Sequence, residues 1–94
     1  MPRLIGILRK GPRWKRGFRL QEQPDISRHL AHLRAWQREG AIERAGPFFE
    51  ADGGYAGGLI VFGAVEREVV EQIVRTDPVV GSGVLTVALH VWDE

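Results

Sequence analysis

Apolar and polar residues follow two different periods along the chain, and these periods predict six regular elements. Alternating or continuous apolar runs are typical of β-strands and occur at 3–8, 41–50, 59–65 and 84–92. Apolar residues spaced three or four apart indicate amphipathic helices at 24–40 and 66–77. The remaining segments 9–23 and 51–58 are rich in glycine, proline or charge, so we expect loops there.

The ends of the two helices carry their own signals. Asp25 or Ser27 can cap the start of the first helix, and Gly40 suits the left-handed position after its end. Pro78 disfavours helical geometry at the residue before it, so the second helix is expected to end at Asp77. An acidic residue at a helix C-terminus is mildly unfavourable, which raises the question of what holds Asp77 there.

The order strand, helix, strand, strand, helix, strand predicts an α+β fold of the ferredoxin-like βαββαβ type. Both helices are then expected on one face of a four-stranded antiparallel sheet. In the last strand, alternate side chains are expected to face the helices: Leu85, Val87, Leu89 and Val91. The opposite face receives Thr86, Ala88, His90 and Trp92. That face is either covered by a second copy of the sheet or half exposed, with Trp92 as a surface aromatic residue.

Composition narrows the class of protein. Ninety-four residues suggest one domain, 1–94, and no apolar run reaches the roughly 18 residues that a membrane-spanning helix needs. The absence of cysteine excludes disulfide bonds and thiolate chemistry, and it fits a cytoplasmic protein. No spacing of His, Asp and Glu resembles a metal site, so we expect neither a metal nor another cofactor.

Charge is divided unevenly along the chain. The first 20 residues carry seven basic side chains and no acidic one, whereas the rest carries six basic and twelve acidic side chains. The basic segment is expected to guide an anionic ligand to a pocket through Arg9, Lys10 and Arg13, or to pair with the acidic part of a partner subunit. Nucleic acid is the disfavoured partner, because no platform of aromatic side chains accompanies these charges.

Two ionisable side chains are predicted to face the protein body. Asp77 continues the apolar stripe of the second helix four residues after Ile73, and His29 shares a helical face with Leu33 and Trp36. A carboxylate that accepts from one ring nitrogen of a histidine makes the other nitrogen a better proton acceptor. Spacing alone leaves two interpretations open: such a pair, or a boundary histidine and a turn-capping aspartate.

Three stretches resemble the YCII-related (YciI-like) domain family, namely HLAHLRAWQREGAIERAGPFFE, GGLIVF and DPVVGSGVLTVALHVW, and LRKGPRW resembles an arm found in one branch of it. The most specific features are the spacing from His29 to the Gly-Pro pair and the Asp-Pro turn before the last strand. The resemblance implies a ferredoxin-like protomer, a dimeric α+β barrel formed through the sheet face, and a site that pairs His29 with Asp77. Characterised relatives include a dehydrochlorinase of chlorinated hydroxyhydroquinone, and muconolactone isomerases share the wider fold.

The function implied by this resemblance is cofactor-free acid–base chemistry of the lyase, dehydrochlorinase or isomerase type on a small anionic aromatic or lactone-type compound. His29 is the expected acid or base, and Asp77 its orienting partner. The expected ligand contacts are Arg9, Lys10, Arg13, Trp14, Trp36, Pro47 and His90. A non-catalytic ligand-binding or accessory module with the same pocket is the alternative. His32 is expected to be solvated, and Val79, where the family commonly has an aromatic residue, is expected to reshape the pocket wall.

Overall fold

The computed structural model describes residues 2–93 and contains one sheet of four antiparallel strands in the order β2-β3-β1-β4. The elements in chain order are β1 Pro2–Lys10, α1 Ile26–Arg38, β2 Ile42–Phe49, β3 Tyr55–Phe62, α2 Arg67–Arg75, α3 Pro78–Ser82 and β4 Leu85–Asp93. This arrangement confirms the predicted α+β, ferredoxin-like fold and adds two short helical elements, α3 and a 3₁₀ helix at Leu20–Glu22. None of the helices in the described part of the chain combines the length and hydropathy needed to cross a bilayer.

The hydrophobic core lies between the helices and one face of the sheet. Leu33 of α1 and Ile73 of α2 pack onto Ile60, Phe62 and Leu85 of the strands, and all of these side chains are buried. Full burial of a Leu, Ile or Phe side chain contributes about 1.5–3 kcal/mol to the stability of the folded state. The packing of the core therefore fixes how far the helices lie from the sheet. This separation sets the space available to a ligand between them.

The other face of the sheet is not covered by any helix. Residues paired across antiparallel strands point to the same face, and β1 pairs Ile5 with both Val61 and His90, and Ile7 with Ala88. These residues, together with Thr86 and Trp92 of β4, form the surface called here the open sheet face. The alternation predicted for β4 is confirmed, although Val91, near the end of the strand, is 63% exposed.

Two strands, β1 and β3, extend into segments that the sequence predicts as loops. β1 continues through Arg9 and Lys10 because these residues pair with Thr86 and Leu85 of β4. β3 begins at Tyr55, inside the glycine-rich segment that was expected to be a loop, because Tyr55, Gly57 and Gly58 pair with β2. In both places hydrogen bonding to a neighbouring strand outweighs the weak strand propensity of glycine and charged residues.

The segment 11–25 between β1 and α1, called here the basic loop, is held in place by buried contacts. Gln23 is 3% exposed, and its amide accepts from the backbone N–H of Lys15 and donates to the carbonyl oxygens of Lys15 and Phe18. The indole of Trp14 stacks on the ring of Tyr55 with 5.1 Å between centroids. The segment is therefore a shaped loop attached to β3 and not a solvated arm.

Candidate active site

His29 and Asp77 form a direct and buried pair. The His29 Nδ1 atom lies 2.7 Å from Asp77 Oδ2, and the two residues are 5% and 2% exposed. An ionised carboxylate can only accept a hydrogen bond, so Nδ1 carries the hydrogen and donates. The remaining ring nitrogen, Nε2, then bears a lone pair that can accept a proton.

Asp77 caps α3 with its second carboxylate oxygen. Helix α2 ends at Arg75, and Asp77 lies at the N-cap of α3, where its Oδ1 accepts from the backbone N–H of Val79 at 3.1 Å. The expectation that Asp77 ends the second helix is therefore wrong. Pro78 occupies the first position of α3, where its fixed φ and missing N–H cost nothing. Capping and contact with histidine were alternatives from the sequence, and Asp77 makes both interactions at once.

Helix α1 positions the histidine ring between α3 and a cavity. Leu30, Leu33 and Gln37 of α1 face this cavity, whereas His32 and Trp36 lie on the flank of α1 that turns away from it. His29 falls at the boundary between the two flanks, so that it contacts Asp77 and also lines the cavity. Its Nε2 atom makes no hydrogen bond within residues 2–93 and is not sealed from solvent.

The cavity has a volume of about 500 Å³ and lies between α1 and the inner face of the sheet. Its walls are mainly apolar and include Leu8, Leu33, Ile60 and Leu85. Arg34 is the charged side chain on these walls among the described residues, and no carboxylate is found among them. We name this space the inner cavity; its chemistry combines a basic histidine nitrogen, a guanidinium and apolar surface.

The predicted ligand contacts are distributed over several parts of the molecule. Pro47 lines the inner cavity. Lys10 and Trp14 line a different cavity, beside the basic loop. Trp36 packs against the core, and Arg13 packs over Gly83. Arg9, paired with Thr86, and His90, paired with Ile5, lie on the open sheet face, on the other side of the sheet from His29.

Two further expectations about side chains are wrong. His32 is half buried, and its Nε2 lies 2.8 Å from the carbonyl oxygen of Ile73, to which it donates. It therefore ties α1 to α2 and is not simply solvated. Val79 is fully buried in the core and does not line the inner cavity. The small residue after Asp-Pro therefore serves packing beneath α3 and leaves the cavity wall unchanged.

The sequence pattern carries no signal for Arg34 and Tyr55, two residues of the cavity wall with polar side chains. Arg34 occupies α1 five residues after His29, a spacing that gave no apolar signal. Tyr55 was placed in a loop, but it begins β3 and contributes to the walls of both cavities. Burial raises the pKa of Tyr55 to about 12 from 10.0, so its hydroxyl stays protonated and able to donate at neutral pH.

No cluster of three or more His, Asp or Glu side chains that could hold a metal ion occurs within residues 2–93. The donor set of the inner cavity is one histidine nitrogen, one guanidinium and several amide or hydroxyl groups. Such a set suits proton transfer and recognition of an anion better than coordination of a cation.

The half-buried phenol of Tyr55 predicts a change of folding stability at high pH. The unfolded chain releases the phenol proton near pH 10, whereas the folded chain keeps it until about pH 12, so folding stability falls as pH rises through this interval. Because Tyr55 is the single tyrosine, the ultraviolet absorbance of tyrosinate reports its ionisation directly. Trp14→Ala removes the stacked indole and should move the midpoint towards 10, while Trp92→Ala should leave it in place. A midpoint near 10 in the wild type would contradict this burial.

Comparisons with known proteins agree with the geometry of the fold. One solved structure, 5-chloro-2-hydroxyhydroquinone dehydrochlorinase from Burkholderia phenoliruptrix AC1100 in complex with 2,5-dihydroxybenzoquinone, superposes with a TM-score of 0.67. It shares 24% identity over 97% of this chain and 94% of the other, which supports a common fold. A comparison with curated protein sequences finds no match. The sequence model of the YCII-related domain matches residues 14–93, and the chain therefore belongs to the YCII-related domain family.

Proposed function

We propose that this protein is a cofactor-free cytoplasmic enzyme that performs acid–base chemistry on a small anionic aromatic or lactone-type compound. The observation that carries the proposal is the buried His29–Asp77 pair, with 2.7 Å between Nδ1 and Oδ2 and with Nε2 left without a partner at the inner cavity. A histidine held in one tautomer by a carboxylate is the usual arrangement for a general base. The free Nε2 can accept a proton from a molecule held in the inner cavity.

The proposed chemical step is a proton transfer to Nε2 of His29. The neutral imidazole removes a proton from an O–H group of the ligand, or from a C–H group beside a carbonyl. The electron pair left on the ligand then forms a new double bond and expels a leaving group such as chloride, or moves to a neighbouring carbon that is reprotonated. Asp77 stabilises the imidazolium formed in this step, and it acts as a positioning residue because it does not touch the ligand.

The inner cavity supports a single-ring, anionic ligand. Its volume of about 500 Å³ lies in the usual range of about 300–1,000 Å³ for small-molecule sites. The apolar walls suit an aromatic ring or a lactone, and Arg34, with no carboxylate beside it, suits a phenolate or carboxylate group. The structurally similar dehydrochlorinase was solved with 2,5-dihydroxybenzoquinone, a ligand of this size and shape.

Turnover measurements with matched variants test the catalytic role. The panel consists of chlorinated and unsubstituted hydroxyhydroquinones and of small unsaturated lactones. For any compound that is turned over, His29→Gln and Asp77→Asn should each lower kcat by about 10²- to 10⁴-fold, the usual contribution of a positioned acid or base. The glutamine amide can still donate to Asp77, and asparagine is a good N-cap, so both variants should fold.

His32, which lies outside the inner cavity, supplies a control for these variants. His32→Gln keeps a donor for the Ile73 carbonyl oxygen but removes an imidazole that lies outside the inner cavity, so kcat should be unchanged. Full activity in Asp77→Asn, or ligand binding without turnover throughout the panel, would favour the alternative of a non-catalytic binding or accessory module.

We also propose that the chain forms a single domain, 1–94, and a homodimer through the open sheet face. Helices cover the opposite face, while Ile5, Ile7, Ala88 and Trp92 leave this one largely apolar. Trp92 is 44% exposed in the single chain. Covering such a surface stabilises an assembly by about 25 cal/mol per Å² of apolar area. A second copy of the same sheet presents the same apolar surface and is the partner that the fold supports.

Sedimentation at micromolar concentration tests this assembly. The wild type should sediment as a dimer, and Trp92→Glu should sediment as a folded monomer because it replaces a large exposed apolar side chain of this face with a charge. Phe18→Glu is the matched control, since Phe18 is also exposed but lies on the basic loop; this variant should remain dimeric. A monomeric wild type would contradict the proposed homodimer.

A further inference from the structure

A second cavity adjoins the inner cavity and shares a wall with it. It lies between the basic loop and the β2–β3 hairpin and has a volume of about 1030 Å³. Leu20, Gln21 and Tyr55 line both spaces. We call this second space the basic cleft. Because three residues are common to both linings, the basic cleft lies directly beside the inner cavity.

The charge of the basic cleft is of one sign. Lys10, Arg16 and Arg19 line it, and no carboxylate is found among its described lining residues. Arg19 is paired with Glu22 at 3.6 Å, and the Lys10 Nζ atom lies 5.2 Å from the centre of the Trp14 ring. Arg16 has no ion pair within residues 2–93. The positive charge of the cleft is thus only partly neutralised by neighbouring groups, and it attracts an anion.

The cleft is also shaped in advance of binding. The three hydrogen bonds of Gln23 fix the backbone of the basic loop at Lys15 and Phe18. Two backbone hydrogen bonds, from Gly11 to Val84 and from Arg13 to Gly83, attach the start of the loop to the turn before β4. A loop ordered in this way loses little conformational entropy when an anion binds, in contrast to a solvated basic arm.

We propose that the basic cleft is an anion subsite continuous with the inner cavity, and that the ligands of this protein carry a second anionic group on a short chain attached to the ring. The inference rests on the proposed function for the location of the ring. It specifies the substrate class: a phenolic ring held beside His29, with a carboxylate, sulfonate or phosphate group that extends towards Arg16. Tyr55, neutral up to about pH 12, separates the ring from the charged end without repelling the anion.

A pair of matched probes tests the subsite by isothermal titration calorimetry. Both probes contain a dihydroxyphenyl ring with a short linear chain, which ends in a carboxylate in one probe and in the corresponding neutral carboxamide in the other. At low salt the wild type should bind the carboxylate probe about three- to tenfold more tightly, because several exposed cations act together. The preference should decrease as salt screens these charges.

Charge-reversal variants assign the preference to the cleft. Arg16→Glu should abolish the preference for the carboxylate probe and leave the affinity of the carboxamide probe unchanged. Arg75→Glu makes the same change of charge on the exposed surface of α2, outside both cavities, and should retain the preference. Equal affinities for the two probes in the wild type, or a preference that survives Arg16→Glu, would overturn the proposed subsite.

The same titrations separate this inference from the proposed function. If the protein binds the probes but turns over no compound, the catalytic proposal fails while a carboxylate preference dependent on Arg16 still supports the subsite. If turnover depends on His29 but the two probes bind equally, the subsite proposal fails while the catalytic proposal stands. A shift in oligomeric state caused by Arg16→Glu, seen without a change in probe affinity, would overturn the subsite and assign Arg16 to a subunit contact.

Discussion

The two hydrogen bonds of the Asp77 carboxylate connect the backbone of this fold to its chemistry. One oxygen caps α3 and the other holds the ring of His29, so the position of α3 and the orientation of the histidine depend on a single side chain. Because the pair is buried, loss of either partner leaves a buried polar group without its hydrogen bond, which typically costs about 1–3 kcal/mol. The turn between α2 and β4 therefore carries a structural constraint and, in the proposed mechanism, a functional one.

The elements of the fold could be predicted from the sequence because their apolar periods are unambiguous. The ends of the elements could not, since β1 and β3 are extended by hydrogen bonds to neighbouring strands that local propensity does not encode. The short helix α3 was missed because five residues are too few to show a helical period. For the same reason Asp77 was assigned to the end of one helix when it begins another.

The candidate site was predictable only in part. His29 and Asp77 were found because both border apolar stripes and match a family pattern. Arg34 and Tyr55 carried no such signal: which side chains line a cavity depends on how α1 is rotated against the sheet, and periodicity fixes that rotation only approximately. The basic segment shows the same limit, since its charges were evident but its attachment through Gln23 and Trp14 required the tertiary structure.

The central claim, that Asp77 fixes the tautomer of His29, is tested most directly by the ¹⁵N chemical shifts of the imidazole rings. In the neutral wild-type protein His29 should carry its hydrogen on Nδ1. In Asp77→Asn the amide oxygen can keep the cap on Val79 while the amide N–H donates to Nδ1, so the hydrogen should move to Nε2. His32, which donates from Nε2 to Ile73, is the internal control and should be unchanged. A wild-type His29 with its hydrogen on Nε2, or identical His29 spectra in the two proteins, would contradict the account.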